Sequence, residues 1–387
     1  MTGESRAGRF GRARAFGRGL IRTRRRAVTS GAVMVVLVAG VGTWAFQGPL
    51  ASKDHYCWGA WEQDSGPDIL GDAAFTGDDA RSRTSKEAPP TSGKPTGSCT
   101  LAVRSSRVYS GDELVQDTTV TVKYGRAPKD AGTRLTWLSD HLGNGAMPLP
   151  DGLPGAVAGA RGLLVLPKRC DTRDGRPTAV TLDAQERPEP DDVITRSPDL
   201  GGSRMVTELL VKAANKGMEK AGCAPAEPLR TTSPVLTLPE KSETFYSDPA
   251  CRINGLDLDL DEELERQARY QVGAVTADVQ SCSVRTGRAD VQFLDALMVA
   301  HPRIDALLKD LAGDKAPARG WRGKGVLASD HQLVRARCAG RPTTFLMLGA
   351  PAYAAKGHFA AFTDAVSQRL GCAAVAPAAS AGTEGEH

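Results

Sequence analysis

The pattern of apolar and polar positions changes character several times along the chain. Its first block covers residues 27–46, twenty positions without a charge. As a helix rising about 1.5 Å per residue, such a block measures about 30 Å, the thickness of a bilayer's hydrocarbon core, and it predicts a transmembrane helix. Beyond it the apolar residues break into short runs. These predict strands over residues 55–61, 99–103, 118–124, 163–166 and 177–182, the run at 118–124 alternating strictly. Asp174-Gly175 supplies a hairpin turn between the last two. Helical spacing predicts helices over 133–142 and 204–221, the second through Val206, Leu209, Leu210, Ala213, Ala214 and Met218. Polar, proline-bearing residues 76–98 read as a flexible surface insertion.

A run with four prolines, 224–248, reads as a linker. After it, helices are predicted over 261–270, 291–311 (bent near Pro302) and 359–370, with strands over 332–337 and 344–348. The resulting expectation is an α+β fold class: two tandem related ectodomains, each an antiparallel sheet with a packed helix, behind one N-terminal transmembrane helix. The expected boundaries are a basic tail (1–26), the membrane helix (27–46), a first ectodomain (54–223), the linker (224–248), a second ectodomain (249–376) and a disordered tail (377–387).

Charge gives this plan a direction. Residues 1–26 hold nine arginines against Glu4, a charge of +8 in a chain of +4, so the remaining residues carry −4. The basicity therefore belongs to an arm and not to a folded surface. Beside an apolar span such an arm sets topology and meets anionic headgroups more readily than nucleic acid. The expected location is the cell membrane, single-pass, amino terminus cytoplasmic and later domains extracellular, with membrane lipid as partner through 27–46 and no nucleic acid. A cleaved signal peptide, with Thr43 and Ala45 as small residues before the cut, is the alternative, and Thr23 to Val28 also resembles a twin-arginine export signal. The length of the apolar run favours an uncleaved anchor.

All eight cysteines follow the apolar block: Cys57, Cys99, Cys170, Cys223, Cys251, Cys282, Cys338 and Cys372. Outside a membrane, in a chain without a C-x-x-C pair, they read as disulfides and not as metal ligands. Their contexts repeat. Ser98-Cys99 answers Ser281-Cys282, and Gly222-Cys223-Ala224 answers Gly371-Cys372-Ala373. The tetrapeptide Gly-Arg-Pro-Thr follows Cys170 at 175–178 and Cys338 at 340–343. An internal duplication follows, with four cysteines per half. Each half allows three pairings. The expected set is Cys57–Cys99, Cys170–Cys223, Cys251–Cys282 and Cys338–Cys372, the last pair of each half tying a strand to the residue just past a helix packed on it.

Few residues point to chemistry. Ser-Asp-His occurs at Ser139-Asp140-His141 and at Ser329-Asp330-His331. The copies do not correspond in the repeat, and triad members face one another in space and are rarely consecutive. No Gly-x-Ser-x-Gly elbow, phosphate loop or dinucleotide fingerprint is present. Asp257, Asp259 and Asp261 imitate a calcium loop, but Glu262 stands where that loop needs glycine. Arg176 and Arg341 of the tetrapeptides could pair on an anion, and Trp58 with Trp61 could form a sugar-stacking platform. Turn formation and core packing are the plainer accounts.

The opening Cys-Trp-Gly-Ala-Trp-Glu-Gln-Asp-Ser-Gly-Pro at 57–67, with Pro-Leu-Pro-Asp-Gly-Leu-Pro-Gly at 148–155, resembles uncharacterised single-pass membrane proteins of high-GC actinobacteria that carry a cysteine-containing ectodomain. That resemblance covers mainly the first ectodomain and implies no activity. The expectation for function is therefore a non-catalytic extracytoplasmic module binding a protein or an envelope ligand, with no cofactor, no metal and no catalytic residue assigned. A cell-wall-acting hydrolase and a structural envelope component are the alternatives.

Overall fold

Two antiparallel sheets of seven strands each, and one two-stranded ribbon, carry the fold. The computed structural model describes residues 55–62, 82–109, 112–143, 145–187, 200–236, 243–244, 250–254, 256, 262–273, 275–286, 291–349 and 358–377. The ribbon pairs β1 (His55–Tyr56) with β2 (Trp61–Glu62). A first meander follows in β3 (Ser82–Ala88), β4 (Gly97–Tyr109) and β5 (Asp112–Arg126). Helix α1 (Ala131–Leu142) leads to β6 (Met147–Pro148), β7 (Gly155–Ala158), β8 (Arg161–Val165) and β9 (Thr178–Arg187). Helix α2 (Gly202–Ala221) closes this half. The spatial order is β3-β4-β5-β9-β8-β7-β6.

The second half opens with β10 (Glu243–Thr244) and the short helix α3 (Glu262–Gln267). It continues through β11 (Ala268–Val272), β12 (Val279–Thr286), β13 (Val291–Val299) and the one-turn helix α4 (Pro302–Asp305). The hairpins of β14 (Lys324–Leu327), β15 (His331–Cys338) and β16 (Arg341–Gly349) follow, and helix α5 (His358–Arg369) closes it. The order is β10-β11-β12-β13-β16-β15-β14. Both sheets thus run a three-strand meander, cross by a helix, return with the last strand beside the third, and end in a helix. Among the described residues, strands β6 and β10 have no counterpart.

Backbone conformation at the repeated positions matches as well. Cys57 (φ 51°) and Cys251 (φ 55°) both adopt the left-handed region that residues with a Cβ avoid. Each is followed by a second such residue, Trp58 and Arg252. Gly175 and Gly340, which open the two tetrapeptides, have φ of 76° and 80°, and Gly222 and Gly371 end α2 and α5 at 72° and 69°. Only glycine takes these last four positions without strain.

Three cores stack through the molecule. Helix α2 sets Val206, Leu209, Leu210, Ala213 and Met218 against Val120, Val122, Val180 and Leu182 of the first sheet. Helix α5 sets Phe359, Phe362 and Val366 against Val334, Phe345 and Met347 of the second. The opposite faces of the two sheets share the third core. Leu135, Leu138 and Leu142 of α1 meet Leu163 and Val165 of β8 there, together with Leu297, Val299, Leu333 and Leu346 of the second sheet. Residues 54–387 accordingly form one compact unit.

Polar latches fix the shared core. Arg134 of α1 reaches Asp310 through both terminal nitrogens, at 2.5 and 3.1 Å, and donates to the Leu307 carbonyl at 3.2 Å. In return, Arg303 of α4 reaches Asp171 through both terminal nitrogens, at 2.9 and 2.5 Å, and donates to the Leu166 carbonyl. Each half therefore sends an arginine from its crossing helix into the other.

Several expectations are corrected. The α+β class gives way to a predominantly β architecture, because two segments expected as helices are largely strand. Residues 291–311 become β13 and a single helical turn. Asp295 apart, the run Phe293 to Val299 is apolar on both sides because β13 lies between β12 and β16 and feeds two cores, Leu294, Ala296 and Met298 into one, Leu297 and Val299 into the other. A run apolar at all but one position carries no clear period to separate the two structures. Within 261–270, helix stops at Gln267 and β11 begins. The insertion expected over 76–98 contains β3, whose inward residues are polar: Arg83 stacks 5.4 Å above the Tyr56 ring, and Glu87 accepts the Trp58 amide at 2.8 Å.

The transmembrane helix, and with it the single-pass location at the cell membrane, is also corrected. Among the described residues no helix is long and apolar enough to cross a membrane. Helix α2 has the length, with 20 residues, but Arg204, Glu208, Lys212, Lys216, Glu219 and Lys220 make it amphipathic. Residues 1–26, 27–46 and the Asp257–Asp261 motif lie outside the described residues.

Candidate functional site

Alternation along β5 and β9 creates a broad concavity on the face of the first sheet away from α2. Val120, Val122, Val180 and Leu182 point to the α2 side and are buried. Their neighbours Thr119, Thr121, Lys123, Thr181, Asp183 and Gln185 point the other way and form the floor of a cavity of about 730 Å3. Helix α1, begun by Asp130 accepting the Thr133 amide at 2.8 Å, forms one wall with Trp137, Asp140 and His141. Arg161 of β8 and Arg126 complete the rim.

Register explains the central cluster. Asp183 lies opposite Thr121 on β5 and opposite Arg161 on β8. Its two oxygens face two nitrogens: Oδ2 lies 3.4 Å from His141 Nε2, and Oδ1 lies 3.5 Å from Arg161 Nε. Arg161 extends to Asp140 at 4.0 Å. His141 is buried, and its Nδ1 lies 2.8 Å from the Trp137 carbonyl. A carbonyl only accepts, so Nδ1 carries the hydrogen. Burial works against the Asp183 carboxylate, but the His141 hydrogen bond and charge, then Arg161 and Lys123, outweigh it and hold its pKa below the ordinary range.

The structure separates the residues of the first Ser-Asp-His string. Ser139 turns into the shared core and donates its hydroxyl to Asp295 of β13, while His141 faces Asp183. Burial raises the Asp295 pKa, against hydrogen bonds from Ser139 and Ser283 and the charge of Arg285. In the second string, His331 lies 2.9 Å from its exposed neighbour Asp330 and has no role in a cavity of this kind. Trp58 and Trp61 are core residues; the Trp61 ring nitrogen donates to the Leu209 carbonyl at 3.0 Å. Arg176 and Arg341 do not meet: each is held by an aspartate of its own half, Asp174 and Asp278. Among the described residues no group of three His, Cys, Asp or Glu is placed to hold a metal ion.

The structure pairs Cys57 with Cys99, Cys170 with Cys223, Cys251 with Cys282 and Cys338 with Cys372, at Cα separations of 5.2, 5.2, 5.6 and 5.3 Å. Every pair lies within one half. Cys170–Cys223 lies on the α2 side of the sheet: the Tyr124 hydroxyl lies 3.2 Å from Cys223 Sγ and donates to it, since a disulfide sulfur has no proton. Burial pushes the Tyr124 pKa up to about 12.

Sequence reasoning did not single out Lys123, Trp137, Arg161 or Asp183. The strand expected over 177–182 stops short of Asp183 and Gln185, which the observed β9 includes. That α1 roofs their face of the sheet depends on tertiary packing. Comparison with family models, curated proteins and solved structures finds no match.

Proposed function

We propose that this chain is a non-catalytic binding protein whose first half holds a small, hydroxyl- or amide-bearing molecule against β5, β9 and α1. The cavity is the observation that carries the reading. Its volume falls in the usual range for small-molecule sites. Its floor offers threonine hydroxyls with Lys123 and Asp183, its rim adds Arg126 and Arg161, and its α1 wall presents Asp140 and the half-buried ring of Trp137. Such a surface supplies donors, acceptors and one apolar plate, with no large excess of either charge.

Binding is favoured over hydrolysis by what the side chains are already doing. Ser139 is bonded to Asp295, away from His141. His141 is buried, with Nδ1 on the Trp137 carbonyl and Nε2 turned toward Asp183 and not toward Ser139. Four disulfides suit an oxidising compartment.

Titration of the full chain with N-acetylglucosamine and with alanyl-alanine, read by tryptophan fluorescence and calorimetry, tests the proposal. Saturable binding of either probe, weakened about tenfold or more by Arg161→Ala, supports it. Absence of binding by both probes, or binding indifferent to Arg161→Ala and Trp137→Ala, overturns it.

A further inference from the structure

A second concavity, of about 420 Å3, lies in the other half, between β14, β15 and the turns that follow α4. Its composition differs from that of the first. Lys309, Arg322, Lys324, Arg335 and Arg337 line it against a single carboxylate, Asp314. Arg335 is already neutralised, because Asp305 receives it at 3.0 Å through Nε and again through a terminal nitrogen. The other four cations are exposed. Among the described residues Lys309, Arg322 and Lys324 have no carboxylate partner, and Arg337 is bonded only to the Gly340 carbonyl.

The fold, and not chance exposure, collects these charges. Lys324 is registered opposite Arg335 on β15, and Arg337 is on the same strand two residues further on, so it projects to the same side. Gly323 and Gly325 flank Lys324; a Cβ at either would fall 2.6 or 2.2 Å from a β15 carbonyl oxygen. These glycines let β14 press against β15 and leave Lys324 as its forward side chain. The Arg322 amide donates to the Val375 carbonyl at 2.8 Å, which ties its backbone to the segment after α5. Four cations facing one small basin repel one another, and a multiply charged anion relieves that repulsion while accepting several hydrogen bonds at once.

We infer that this basin is a binding site for a phosphate-bearing ligand, separate from the cavity of the first half. Guanidinium groups match phosphate oxygens in pairs, and lysines add point charge. The phosphate could be that of a soluble molecule or of a lipid headgroup, and the test distinguishes the two.

The full chain is titrated with inorganic pyrophosphate, and separately with vesicles of phosphatidylglycerol in phosphatidylcholine. Saturable pyrophosphate binding that weakens about tenfold in Arg322→Ala, about a hundredfold in the Arg322→Ala/Lys324→Ala double variant, and steeply with added salt, supports a soluble source. Vesicle binding without pyrophosphate binding, lost in the same variants, supports the headgroup source. Asp314→Asn provides a gain-of-function check that does not depend on the stability of the other variants, since removing the one acid should tighten binding several-fold. Failure of both probes to bind, or binding unchanged across these variants, overturns the inference. Arg161→Ala should leave this binding unaltered, so a failure here and a failure of the first-half cavity are told apart.

Discussion

Replacing Arg303 with alanine tests whether the two halves are one cooperative structure. The Arg303 side chain is 21% exposed and that of Asp171 is 12% exposed. The guanidinium grips both carboxylate oxygens and also caps the Leu166 carbonyl. Breaking a buried pair from one side costs about 3–5 kcal/mol, because the abandoned charge keeps its desolvation penalty. Partial exposure lets water recover part of that, so about 2–3 kcal/mol is expected for Arg303→Ala. The partner change Asp171→Ala should cost a similar amount. The double variant should fall short of their sum by about 1–2 kcal/mol, since the two residues act as one contact. Urea unfolding followed by circular dichroism and tryptophan fluorescence measures all three. The wild type should unfold in one transition by both probes, and Arg303→Ala should begin to separate them as the halves uncouple. A cost below about 0.5 kcal/mol with coincident transitions would refute the latch and reduce the pair to an ordinary surface contact.

Three further outcomes follow from the geometry. Gly217→Ala places a methyl 2.5 Å from Tyr124 Cδ2 and 3.4 Å from the Trp58 ring; thermal unfolding should show a loss of about 1–3 kcal/mol, and an unchanged midpoint would contradict the packing. The Asp183 pKa is lowered on folding, so its contribution is present above the unfolded carboxyl range and lost as pH falls through the folded value; Asp183→Asn should flatten stability against pH on the acid side. Asp295 has the opposite sign: its pKa is raised, so its contribution is full below the unfolded pKa and declines as pH rises through the folded one, and Asp295→Asn should remove that decline in denaturation midpoints taken from about pH 4 upward.

Much of this fold was legible where a local rule was strong. Helices α2 and α5 show one apolar face and stop at glycine-cysteine, and both glycines adopt the left-handed conformation that ends a helix. The Gly-Arg-Pro-Thr segments read as turns, and both lead into an interior strand, the one that returns beside the third strand of its meander. Legibility failed where partners distant in sequence decide the outcome. Strand β3 offers no apolar inward residue; it holds its place because Arg83 finds a tyrosine ring and Glu87 an amide from the amino-terminal ribbon. Strand β13 is apolar on both faces except at Asp295, because the first half covers one of those faces and supplies Ser139 to that carboxylate.

The candidate site divides the same way. Ser139 and His141 stand out as a string, but two steps along a helix turn a side chain by about 200°, so they were bound to look in opposite directions. The partner that His141 does meet, Asp183, is 42 residues away and is brought near by the β8–β9 hairpin. Nothing in the spacing of the two residues announces that pairing.

The confinement of every disulfide to its own half has a practical consequence. No covalent bridge crosses the stretch between Leu236 and Glu243, so a single proteolytic cut there would yield two fragments joined by no bond at all. They would nonetheless share a buried core and exchange arginines. In that sense the molecule is a heterodimer written on one strand of peptide. Its two parts, expressed as separate genes, should recognise each other and reassemble, and neither alone would have anything to close over its inner face.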